Sequence, residues 1–223
     1  MSRFRVEITV QSLSGVAIAG GRLPRPELDR GTLRDWESRP MIPGSSLRGR
    51  ARAQLEGILR ALGQAVCAAP AAERMCPQVR LPELPPEEEY CLACRIFGSP
   101  WRPSTVRCGD LRLKHGSEGG QAHVTDMRPG VGISRYTGTA EPQRLYLLEN
   151  ACRGLEYTGR VEGELTEEEL PWLLAALASV RHLGGQKARG LGQVELVLDK
   201  LEVDEETVDV GAWRQRLPGG GRP

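Results

Sequence analysis

Six cysteines, two aspartates in an arginine-rich loop and a glycine-rich run with two cations are the residues whose types and spacing could do chemistry. Cys67, Cys76, Cys91 and Cys94 form one group, and the last two make a C-x2-C knuckle. Four soft thiolates can converge on a tetrahedral ion when one tight turn supplies two of them, so the spacing is that of a structural zinc site. A site filled by four thiolates has no open coordination position, which excludes zinc catalysis there. Reduced, unligated thiols are the alternative, and structural disulfides do not suit a cytosolic chain. Cys108 and Cys152 stand apart and read as small core residues.

The aspartates Asp29 and Asp35 lie in an irregular stretch, residues 15–41, among Arg22, Arg25, Arg30, Arg34 and Arg39. A positioned carboxylate can orient or deprotonate a hydroxyl. Carboxylates among so many arginines also serve as ordinary ion pairs. Next comes MIPGSSLRGRARAQLEGIL, Met41 to Leu59. Pro43-Gly44-Ser45-Ser46 reads as a turn opening an amphipathic helix, with Leu47, Ala51, Leu55, Ile58 and Leu62 on one face. Unpaired N–H groups and the helix dipole at such a start attract anions, and Arg48, Arg50 and Arg52 flank it. The same start also caps a helix without any ligand. A second anion-friendly stretch places Lys187 and Arg189 among Gly184, Gly185, Gly190 and Gly192. Glycines let a backbone approach a ligand closely.

Several elements must position these groups. Phe4, Val6, Ile8 and Val10 alternate and predict a strand over 3–10. Residues 105–113 alternate weakly, with Val106, Leu111 and Leu113 as core candidates, and 115–132 read as a polar loop holding solvated His115 and His123. Two extended pieces over 131–148 flank Thr137–Pro142 and predict a projecting hairpin decorated by Arg135, Tyr136, Arg144 and Tyr146. Basic and aromatic residues on a ribbon can contact phosphates and stack on bases. Residues 157–165 alternate again. Thr166 to Glu169 fits a capping box opening a helix with Leu170, Leu173, Leu174, Leu177 and Val180 inward, stopped at Gly184-Gly185. Residues 193–198 read as the last strand.

The order strand, helix, strand, strand, helix, strand is the split βαβ pattern. It predicts an α+β, ferredoxin-like (RRM-like) palm with an antiparallel sheet. The expected organisation is one domain over 1–223, with an active-site loop at 15–41, a zinc-binding insert at 64–100, a thumb region at 115–150 and a C-terminal extension at 200–223.

A net charge of +1 over 223 residues decides nothing about nucleic acid. Its distribution says more: residues 1–60 hold 11 Arg against 6 Asp and Glu, and a segregated basic face suits a phosphate backbone. No apolar run of about 18 residues is present, so no membrane partner is expected. A cytoplasmic location is the default expectation.

Four segments together resemble the RAMP (repeat-associated mysterious protein) superfamily of CRISPR effectors, in particular the backbone subunit of type III complexes. They are IPGSSLRGRAR from Ile42, CRIFGSP from Cys94, GVGISRYTGTAEPQRLYLLE from Gly130 and LGGQKARGLGQVEL from Leu183. The resemblance implies a palm that binds CRISPR guide RNA and a thumb hairpin that interrupts the guide–target duplex. It further implies stacked copies, other type III subunits, and cleavage of complementary target RNA at regular intervals in antiviral defence. The string D-R-G-T-L-R-D matches the loop of target-cleaving members, which makes Asp29 the first candidate for metal-dependent (Mg²⁺ or Mn²⁺) endonuclease chemistry and Asp35 the second. Ser45, Ser46, Arg48, Arg50, Arg52, Lys187 and Arg189 are the implied guide contacts, with Arg135 and Tyr136 on the thumb. The alternatives are a RAMP subunit that only binds and spaces guide RNA, and a guide-processing RAMP endoribonuclease. The second would use histidine, and only His115, His123 and His182 are present.

Overall fold

The computed structural model describes residues 1–20, 28–81, 84, 88–116 and 123–216. Arg22, Arg25 and the tail from Leu217 lie outside them. Strand β1, Ser2–Ser12, buries Phe4, Val6, Ile8 and Val10 on one face, as their alternation requires. A short strand β2, Met41–Ile42, leads into helix α1, Gly44–Ala61. Leu47, Ala51, Leu55 and Leu59 recur every fourth residue and are fully buried. Each such leucine stabilises the fold by about 2 kcal/mol. Leu62 is not on that stripe. It caps the helix and is 52% exposed, because the fourfold repeat selects Leu59 instead.

Helix α2, Leu92–Phe97, ends the cysteine insert. Strands β3, Val106–Cys108, and β4, Leu111–Leu113, replace the single strand expected over 105–113. The interruption has a cause: Asp110 leaves the ladder and its Oδ1 accepts the Gly44 N–H at 2.8 Å. Strands β5, Thr125–Ile133, and β6, Ala140–Ala151, make a separate two-stranded ribbon. The ribbon is longer than its sequence suggests. Residues 125–130 are strand rather than loop, and its tip is 134–139, where Gly138 takes φ 68°.

Strand β7, Glu156–Leu165, precedes helix α3, Leu170–Ala178. The capping box is formed: Thr166 N donates to Glu169, and Glu169 N donates to Thr166 Oγ1, both at 3.2 Å. The helix stops earlier than its glycines suggest. Ser179 is the C-cap, and its hydroxyl donates to the Ala175 carbonyl at 2.8 Å. Strand β8, Val194–Val203, strand β9, Glu206–Val208, and helix α4, Val210–Gln215, are the last elements among the described residues. The C-terminal segment is therefore partly integrated, since β9 extends the sheet and Trp213 of α4 is buried.

The main sheet runs β2-β4-β7-β1-β8-β9, with β3 also on β7, and every pairing is antiparallel. The central order β4-β7-β1-β8 with α1 and α3 packed together is the ferredoxin-like arrangement. On the face away from the helices, Arg3 pairs with Glu164, and Arg5 with Glu162 and Glu202. That face carries ion pairs where an RRM would carry stacking aromatics. The topology is RRM-like, but the chemistry lies elsewhere.

Candidate functional site

The first turn of α1 is partly occupied from within the chain. Asp110 already takes the Gly44 N–H, and the backbone of Cys108 and Gly109 presses against Gly44. A β-carbon there would sit 2.0 Å from the Cys108 carbonyl oxygen. Glycine is required at this position for packing.

The helix divides the basic residues that follow. Ser46, Gly49 and Arg50 line a groove of about 500 Å³ with Arg30, Lys187 and the base of β6. Ser45 and Arg48 face a second groove on the other side, which also contains Arg3, Arg5 and Arg107 but four glutamates as well. Arg48 donates to the Phe97 carbonyl. Arg52 belongs to neither groove: it donates to Glu56, to the Gly98 carbonyl and to Cys94 Sγ.

Among the described residues, three cations, Arg30, Arg50 and Lys187, thus share the first groove with one acid, Glu149. Glu149 is already neutralised. Its Oε1 lies 2.6 Å from Arg34 Nη2, and its Oε2 accepts the Thr32 N–H at 3.0 Å. Burial alone would raise this carboxyl, but the Thr32 N–H and the Arg34 guanidinium outweigh it and hold it below the usual range. The groove is therefore left with a cationic surplus, which suits a polyanion. Glu149 drew no attention in the sequence. Its signal was only that a single charge ends an otherwise apolar strand run, Leu145–Leu148.

The Gly-rich loop owes its shape to its glycines. Gly184 and Gly192 have φ of 80° and 82°, and a β-carbon on either would strike a backbone carbonyl, of Ala17 and Leu183. Lys187–Arg189 forms a 3₁₀ turn bracketed by left-handed Gln186 and Gly190. Lys187 points to the first groove, whereas Arg189 turns to the ribbon, where its guanidinium lies over Tyr146 and donates to the phenol oxygen. Arg128 of β5 donates to the Arg189 carbonyl at 3.3 Å. Arg135 and Tyr136 are remote from both grooves, on the exposed ribbon tip; Tyr136 is 99% exposed.

Asp29 is exposed at the ribbon's base, beside the first groove. Its N–H donates to the Leu147 carbonyl at 3.1 Å, and its Oδ2 accepts the Leu147 N–H at 2.7 Å. Asp35 is in a different setting. Its side chain is 2% exposed, and its Oδ1 accepts the N–H groups of Glu37 and Arg39, each at 2.9 Å. That carboxylate shapes its own turn.

Cys67, Cys76, Cys91 and Cys94 are all buried, with their sulfurs within 4.8 Å of one another. Sulfurs bound to zinc at about 2.3 Å stand about 3.8 Å apart in a tetrahedron. The Cys67–Cys94 and Cys67–Cys91 pairs, at 3.4 and 3.7 Å, are near that spacing. Burial pushes the Cys76 thiol up to about 12. Donor type, number and spacing fit zinc. Among the described residues it is the only such cluster of three or more potential ligands. Cys108 and Cys152 are half-buried and border the core rather than fill it.

A ferredoxin-like palm with a cationic groove, a ribbon rising from the groove's edge and a four-cysteine insert defines an α+β protein equipped to hold a polyanion. The family model of the RAMP superfamily matches residues 9–195, and the chain belongs to that superfamily. RAMP proteins bind CRISPR RNA within Cas complexes, and some are ribonucleases. No curated protein matches the chain. No helix among the described residues is long and apolar enough to cross a membrane.

Proposed function

We propose that this chain is the backbone subunit of a type III CRISPR effector, stacking along the guide RNA with further copies and cutting complementary target RNA. The observation that carries the reading is the place of Asp29. It is an exposed carboxylate where the 28–34 loop, the ribbon and the cation-lined groove meet. RNA backbone held by Arg30, Arg50 and Lys187 would carry no sequence information from the protein, which suits a subunit that must accept any guide. Asp29 would orient the 2′-hydroxyl of a target nucleotide displaced by the ribbon, or accept its proton, for attack on the adjacent phosphorus. Asp35 serves this reading only through the turn it builds. Cleavage is proposed to need Mg²⁺ or Mn²⁺. The described site offers such an ion little beyond Asp29, far short of an octahedral shell, so no step is assigned to it.

The hydrogen bond from Leu147 favours a second role for Asp29, as a latch between loop and ribbon. Asp29→Asn keeps an acceptor for that N–H and removes the charge. In the assembled, guide-loaded complex it should bind target as the wild type does and lose the regularly spaced products on a gel. Undiminished cleavage by this variant would leave a subunit that only binds and spaces RNA. Cutting of precursor guide RNA by the lone chain in a chelator would instead favour a processing enzyme.

A further inference from the structure

We propose that Trp36 is a stacking platform for an unpaired RNA base, carried on a rigid turn in the same loop as Asp29. The inference rests on the RNA-binding reading above and adds a base contact to it.

Trp36 is 70% exposed, against 45% for Trp101, whereas Trp172 and Trp213 are buried. An indole left in water on a flexible tip would mean little, but this turn is held from several sides. Asp35 Oδ1 accepts the N–H groups of Glu37 and Arg39. Asp35 N donates to the Arg39 carbonyl, and Ser38 N donates back to the Asp35 carbonyl. Ser38 itself takes a left-handed φ of 60°, and its carbonyl accepts Arg34 Nη1 at 2.6 Å. The other arm of Arg34 grips Glu149 at the base of the ribbon. The turn is thereby tied to the wall of the cationic groove, and presenting the indole there costs little further ordering on binding.

One side of the ring is already covered. The Arg112 guanidinium of β4 lies 4.0 Å from the ring centroid. The exposed remainder is left for a flat partner. The surroundings say which kind: Arg39 lies against the His115 ring, 3.1 and 3.2 Å from its nitrogens, while the turn's other side chains are Asp35, Glu37 and Ser38. A docking patch for an apolar peptide needs contiguous apolar surface. One aromatic set among charged groups and backed by a guanidinium is the arrangement that stacks nucleobases without reading their sequence.

The test uses the full-length chain and a fluorescent single-stranded RNA of mixed sequence, titrated by anisotropy at several salt concentrations. Trp36→Ala should weaken binding about 5- to 150-fold, and Trp36→Phe should retain most of the affinity. Because stacking releases no counterions, the salt dependence of Trp36→Ala should match the wild type. Lys187→Ala should instead flatten it by about 0.7 in the log–log slope. Trp36→Ala binding as tightly as wild type, while Lys187→Ala binds more weakly, would overturn the platform and leave the groove. A Trp36→Ala defect confined to self-association, read by sedimentation with unchanged RNA affinity, would overturn it in favour of a contact between copies. No RNA binding by the wild type would overturn both readings.

Discussion

Arg52 of α1 donates its Nη2 hydrogen to the Sγ of Cys94 at 3.2 Å. The same guanidinium reaches Glu56 through Nε and the Gly98 carbonyl through Nη1. One side chain thus joins the helix beside the groove to the C-terminal end of α2 and to the cysteine cluster. Zinc with four thiolates carries two net negative charges, and an N–H donor at one sulfur lowers the cost of burying them.

Arg52→Ala should therefore weaken zinc binding by about 10- to 100-fold, measured by competition with a chromophoric chelator. Arg48→Ala removes a neighbouring guanidinium that donates to the Phe97 carbonyl rather than to a cysteine sulfur. It should leave zinc affinity near the wild-type value. Equal affinities for Arg52→Ala and wild type would refute the link.

Freshly purified, reduced protein should contain about one zinc per chain by elemental analysis. Stripping it should lower the thermal midpoint, because Cys67, Cys76, Cys91 and Cys94 together form part of the core that α1 covers. A content below about half a zinc per chain would refute the assignment.

Two glycines of α1 should respond oppositely to alanine. Alanine favours a helix interior over glycine by about 1 kcal/mol. Gly49 has open space around its β-position, so Gly49→Ala should gain about that much in urea denaturation. At Gly44 the new methyl meets backbone carbonyls of Cys108 and Gly109, which cannot swing aside as a side chain would. Gly44→Ala should lose about 1–3 kcal/mol despite its better propensity.

Glu149 sets an acid limit on stability. Its carboxyl is held below the usual range in the folded protein, so its contribution is complete above the unfolded value of about 4.3 and is lost as pH falls through the folded one. Wild-type thermal midpoints should drop on acidification below about pH 5. Glu149→Gln should be less stable by about 2 kcal/mol at pH 7, since it leaves Arg34 without its carboxylate, and should show a shallower acid decline. Parallel pH profiles for the two proteins would refute the acid limit, and superimposable ones would show that the pair contributes nothing.

Elements with a strong internal period were legible before folding was considered. The alternation of β1, the inward leucines of α3 and the reciprocal Thr166–Glu169 cap depend on neighbours a few residues apart, and the structure has them. The cysteines were legible from residue type and the C-x2-C knuckle, although Cys67 meets Cys91 across 24 positions. The stop of α3 was misread because glycine signals both a helix end and a positive φ. Here Gly184 serves the second purpose, while Ser179 ends the helix.

The site divides along the same line. Residue types and order alone determined that this chain carries a cysteine insert, a basic helix start, a ribbon and a glycine-rich loop with two cations. Only the tertiary structure decided what each group faces. Asp110 reaches Gly44 across 66 positions, and Arg34 reaches Glu149 across 115. Such contacts are fixed by strand pairing and helix packing, and no local pattern encodes them. They turn Arg52 toward sulfur, Lys187 toward the groove, Asp35 into its own turn and Trp36 out into water.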